Sequence, residues 1–166
     1  MPPITAWNPA TKISRGNVAV GLAPAVVNIE IPKVTELNAT GTGLECAIQN
    51  FNASSSTDTE TIDWLCDPAS ETLPGSITHT MDDLVIKTSG QADATLVTSL
   101  AIGSIVYLWR RDGMTVAKAP AIGQFIWVWK VMITSIDPLE ANNTFVGITA
   151  HIAVLARSKT AVALVA

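Results

Sequence analysis

The chain is expected to fold as a mainly β protein, a β-sandwich or barrel with one short flanking α-helix and long hairpins. Three observations carry this expectation. Apolar residues recur at every second position over many short runs, which is the period of a strand with one packed face. Pro, Gly, Asn and Asp separate those runs at short intervals. One stretch alone, residues 93–101, carries helical spacing.

Taken in order, residues 1–16 contain Pro2, Pro3 and Pro9 and read as an extended arm. Residues 17–23 and 25–31 read as short strands whose flanking Pro24 and Pro32 suit sheet edges. Residues 43–67 read as a hairpin folded about Ser56. That symmetry sets Cys46 opposite Cys66, Ile48 opposite Trp64 and Gln49 opposite Asp63, and leaves residues 52–60 as a polar loop. It also sets Glu45 against Asp67, a like-charge pair that is destabilising unless it faces water. One face of this hairpin is therefore expected to be apolar and the other wet and negative.

Residues 68–75 read as a connection and 76–88 as a strand region, with Asp82 and Asp83 marking a bulge or register change. Asp93 is a plausible N-cap for a helix over 93–101 that gathers Leu96, Val97 and Leu100 on one face. Residues 104–110 return to strand, Arg111-Asp112-Gly113 forms a turn, and 160–165 forms a last strand.

Between them lies the driest stretch, a long hairpin over residues 121–156. Phe125, Trp127, Trp129, Val131 and Ile133 alternate with Ile126, Val128, Met132 and Ile136, so its first arm offers no wet face. One domain core is not expected to cover both faces, and a partner surface is the natural complement. Phe125, Trp127, Trp129 and His151 are the candidate subunit-interface residues.

The 166 residues suit one domain, 1–166. The apolar share is 48%, mean hydropathy is +0.36 and charged residues make up 14%, against about 25% in ordinary soluble domains. Such a surface is under-charged for a free monomer, which leaves a membrane or self-association. No run of about 18 apolar residues is present, and the N-terminus lacks the basic and apolar regions of a signal peptide, so self-association without export is the expectation. The net charge of −4 argues against a general nucleic-acid binder. Its distribution is polarised: residues 34–109 hold ten acids and one base, whereas residues 110–166 hold six bases and three acids. The acidic half of one copy can face the basic half of another; two solvated faces of one monomer are the plainer reading.

No nucleophile elbow, phosphate-binding loop, zinc-protease or dinucleotide motif is present, so no catalytic residue, cofactor or metal is expected. His79 and His151 alternate with apolar neighbours and read as packed or interface residues. Cys46 and Cys66 read as buried thiols, with a disulfide left open by their facing positions. Asp63 with Asp67, or Asp82 with Asp83, could form an acid/base pair, but solvated faces are the commoner origin of such pairs. The sequons at Asn38, Asn52 and Asn142 read as chance without export. Phe125, Trp127 and Trp129 share a face as a base-stacking platform requires, but the lone neighbouring Lys130 favours core or interface.

The order of these features resembles the major tail tube proteins of long non-contractile-tailed (siphovirus-type) bacteriophages. The likeness is carried by the layout and by the runs Gly43-Leu-Glu-Cys-Ala-Ile, Leu65-Cys-Asp-Pro-Ala-Ser-Glu-Thr-Leu-Pro-Gly75 and Asp83-Leu-Val-Ile-Lys87. The resemblance implies a virion protein, assembled in the host cytoplasm, that forms stacked, hexameric rings around a channel for DNA ejection. It implies a homo-oligomer with DNA in transient passage, meeting tape measure, tail terminator and distal tail proteins, with no membrane. Carried onto this chain, Glu45, Gln49, Asp63 and Asp67 become candidate lumen residues, with residues 76–82 an equal contender. Asn52, Ser54, Ser55, Ser56, Asp58 and Glu60 become the candidate ring-to-ring loop. The alternatives are another virion component, such as a capsid decoration or tail-completion protein, and a small-ligand binding barrel.

Overall fold

The computed structural model describes residues 17–38, 42–44, 47–48, 50–62, 71–87, 100–115, 117–139 and 146–166. Among them run β1 (Val18–Ala23), α1 (Val34–Asn38), β2 (Thr42–Gly43), β3 (Ala53–Ile62), β4 (Glu71–Met81) and β5 (Leu84–Lys87). There follow β6 (Ile105–Asp112), β7 (Phe125–Pro138), β8 (Gly147–Arg157) and β9 (Val162–Ala163). The main sheet has the order β2-β1-β6-β7-β8-β5, with β9 added to the start of β7, and β3 and β4 form a separate two-stranded sheet. Every one of these strand pairings is antiparallel. The fold is mainly β, as the sequence leads one to expect; the one helix among the described residues, α1, is not at the expected position 93–101.

β7 organises the main sheet, and both of its faces are covered within the chain. On one side Trp129, Val131 and Ile133 join Val20, Leu22, Leu84, Ile86, Val106 and Leu108 in a first core, closed over by Leu44 and Leu100. On the other side Ile126 and Val128 pack with Ala19, Ala23 and Trp109 beneath Val26, Leu37, Val162 and Leu164. The six aliphatic side chains from Val26, Leu37, Ile126, Val128, Val162 and Leu164 contribute on the order of 10 kcal/mol of burial. That is comparable to the whole stability of a typical domain, so the C-terminal segment is a working layer of the fold. The expectation that one chain leaves a face of this hairpin uncovered is thereby corrected.

A register shift decides where the second half of β7 points. Ile133 pairs with Ile152 and Ser135 with His151, leaving Thr134 as an extra residue. The bulge reverses the alternation, so Ile136 packs against the first core with Ile133 instead of on the opposite face.

Gly21 faces Trp109 across the β1–β6 ladder, and a Cβ there would overlap the indole ring. Arg111 and Asp112, expected in a turn, are instead the last residues of β6, paired with Ala19 and Val18. Gly113 follows with φ 79°, a left-handed conformation that a side chain would resist.

Several other expectations change. Residues 25–31 form a loop rather than a strand, because Glu36 accepts hydrogen bonds from the backbone N–H groups of Val27 (3.1 Å) and Lys33 (2.9 Å) and so caps α1. The hairpin about Ser56 does not form: Ser56 pairs with Thr78, and the expected loop 52–60 is mostly strand β3. Its partner β4 begins at Glu71, inside the expected connection 68–75. The Ser run that read as a loop tip continues into Thr57, Thr59 and Thr61, β-branched residues that suit a strand, here wet on both sides. Asp82 and Asp83 separate strands of two different sheets instead of bulging one strand. Residues 93–99 of the expected helix lie outside the described residues, and Leu100 and Ala101 are not helical. The arm 1–16 also lies outside them, as do Cys46, Trp64, Cys66 and the four candidate lumen residues Glu45, Gln49, Asp63 and Asp67, whereas the contending residues 76–82 fall on β4 and just past its end.

Candidate functional site

Among the described strands, the β3–β4 hairpin contributes little to either core. At its root, Ala53 and Met81 pack against the first core, and Asn52 Nδ2 donates to Asp82 Oδ2 at 3.0 Å. Beyond that, every described side chain over residues 54–61 and 72–80 is exposed except the half-buried His79. Ile77 is 61% and Leu73 45% exposed. The strands are laced by side-chain bonds between Ser54 and Thr80 and between Ser55 and the Nδ1 of His79, both 2.8 Å. At the register shift Asp58 stands opposite two residues of β4, Gly75 and Ser76, so the extra residue is on β4; the Asp58 carboxylate accepts from Ser76 Oγ at 3.4 Å. A two-stranded ribbon of this length is marginal by itself in water.

The hairpin is fastened to the main sheet through Arg157. Its guanidinium donates to Ser55 Oγ and lies over Trp127 and Trp129, with the guanidinium carbon 4.5 Å and 5.9 Å from their ring centroids. Phe51 meets Trp129 edge to face at 5.2 Å. Ala53, Arg110, Asp112, Trp127, Trp129 and Arg157 line an open cavity of about 190 Å³. Arg110 Nε donates to Asp112 Oδ1 at 2.8 Å, and Trp129 is 4% exposed with its indole N–H unpartnered.

A second cluster lies on the other face of the sheet. His151 on β8 has Nδ1 2.7 Å from Asp83 Oδ2 and Nε2 2.9 Å from Asp137 Oδ2. A neutral imidazole donates from one nitrogen only, so both contacts are satisfied together by the imidazolium. The hydrogen bond and charge of Asp83, helped by Asp137, hold the His151 pKa above its usual value of 6.5.

Arg111 is the third notable group, 1% exposed and buried beside Trp109 near a cavity of about 210 Å³. It donates to Gln124 Oε1 at 2.7 Å, to the Thr115 carbonyl at 3.2 Å and to the Lys118 carbonyl, which fixes the loop between β6 and β7.

Of the sequence-derived residues, Asn52, Ser54, Ser55, Ser56, Asp58 and Glu60 fall together on β3 or its root. Phe125, Trp127, Trp129 and His151 do not form one patch: Phe125 is 64% exposed, Trp129 is buried, and His151 sits on the sheet face opposite Trp127 and Trp129. Arg157 escaped sequence reasoning because the register shift between Lys130 and Val131 turns it inward. Arg111 escaped it because Arg-Asp-Gly reads as turn chemistry. Among the described residues no cluster of His, Cys, Asp or Glu is placed to hold a metal ion, and none of their helices is long and apolar enough to cross a membrane.

A family model described as phage tail tube protein matches residues 5–166. None of the curated proteins compared with the chain matches it.

Proposed function

The chain belongs to the phage tail tube protein family, and from that premise we propose that it assembles into stacked hexameric rings whose channel conducts DNA during ejection from a long non-contractile tail. The observation that carries this reading is the β3–β4 hairpin, long, exposed along both edges and faces, and bound to the body at its root. Open strand edges invite pairing with another chain, and a hairpin with so little core of its own gains by packing on a neighbour.

In this reading Asn52, Ser54, Ser55, Ser56, Asp58 and Glu60 contact the adjoining ring as a strand instead of a loop. Phe125 and His151 stand at the subunit interface, with Trp127 and Trp129 forming the wall behind the hairpin root. Glu45, Gln49, Asp63 and Asp67 line the lumen, where negative charge keeps DNA sliding because no counterions are released on contact. The tube is built in the host cytoplasm, and its ends meet tape measure, terminator and distal tail proteins. Negative-stain microscopy of the purified full chain tests the reading. Rings or tubes at high concentration are expected, and strictly monomeric particles would overturn it.

A further inference from the structure

We propose that the cavity between Arg110, Arg157 and Trp129 receives the Glu60 carboxylate of a second copy of this chain; the assignment rests on the tube reading and names one contact within it. The cavity is rich in donors. Arg110 and Arg157 bring two guanidiniums against a single carboxylate, Asp112. Arg110 uses its Nε on Asp112, and its terminal nitrogens are not engaged by that bond. The indole N–H of Trp129 and the Nε of Arg157 are both buried with no hydrogen-bond partner. Buried donors left unmade are costly, so a site with two of them beside two cations is built for an acceptor with negative charge.

The donor of that charge follows from the carboxylates whose side chains are described. Glu30 accepts from the Lys159 N–H, Glu36 from Val27 and Lys33, Asp58 from Ser76, and Asp82 from Asn52. Asp83 and Asp137 hold His151, and Asp112 holds Arg110. Glu60 has no side-chain partner among the described residues, is exposed, and lies toward the far end of β3 from the root at Ala53. Its own cavity sits at that root, so the reach is between molecules. The polarity of the sequence, acids before residue 110 and bases after it, repeats the same head-to-tail match.

A double-mutant cycle on the full chain tests the contact, read as the concentration at which light scattering and microscopy detect assembly. Glu60→Arg and Arg110→Gln are each expected to raise that concentration about tenfold or more. Arg110→Gln avoids setting a new carboxylate against Asp112, and unchanged circular dichroism and melting would show that both variants fold. The double variant Glu60→Arg with Arg110→Gln is expected to assemble no worse than Glu60→Arg alone by more than about threefold, because two losses from one contact do not add. Folded single variants that assemble like wild type, or a double variant whose losses add in full, overturn this contact and leave the tube reading intact. A wild-type chain that never assembles overturns the tube reading and this contact together.

Discussion

The Arg157 guanidinium carbon sits 4.5 Å from the centroid of the Trp127 ring while the same group donates to Ser55 on β3. This one side chain therefore joins the outer hairpin to the main sheet. A cation over an indole is worth about 0.5–2 kcal/mol, and the hydrogen bond adds about 1 kcal/mol. Arg157→Ala is expected to lose about 1–3 kcal/mol in urea unfolding and to shift tryptophan emission. Arg157→Lys should recover part of the loss, since a compact ammonium keeps the charge but not the planar stack.

His151 should titrate with a midpoint above 6.5, and Asp83→Asn should lower that midpoint more than Asp137→Asn does. Proton NMR of the imidazole checks both. The sign follows from linkage: a raised folded pKa stabilises the fold fully below the unfolded value and loses that stabilisation as pH rises through the folded midpoint. The tie among β5, β8 and β7 is thus expected to weaken from about pH 6.5 upward. Equal midpoints in wild type and Asp83→Asn would contradict it.

Gly21→Ala should cost about 1–3 kcal/mol, the usual range for forcing an extra methyl into packed space. The cause is specific, because Trp109 occupies the place a Cβ would take. In a Trp109→Leu background the same substitution should cost much less, and a double-mutant cycle of unfolding free energies measures the difference.

Much of the main sheet was legible. Alternation marked β8, continuous apolar or aromatic runs marked β1, β6 and β7, and the dryness of β7 pointed to a second covered face, though to one covered by a partner and not by the chain itself. What covers the second face was not legible: Val26, Leu37, Val162 and Leu164 come from short segments far apart in sequence, with no period to reveal that they share a core. The bulge at Thr134 and the inward turn of Arg157 are likewise invisible, since one extra residue in a ladder leaves no mark in composition. The candidate hairpin failed for a different reason. A run of Ser and Thr reads as a loop only if strands are assumed to need an apolar face, and β3 has none beyond its root.

Charge reversal at the proposed lumen, Glu45→Lys with Asp63→Lys, is expected to leave assembly intact and to impair DNA passage, because added cations bind phosphate by releasing counterions. Phage infectivity measures it. Undiminished infectivity would remove these residues from the channel.

The most direct measurement is hydrogen exchange of the β3–β4 amides in the assembled and dissociated chain. The outward-facing amides over residues 54–61 and 72–80 are expected to exchange freely in the subunit and to become protected on assembly, while those of β7 stay protected in both. Equal exchange of the hairpin in the two states would contradict the claim that it is completed by a neighbouring copy.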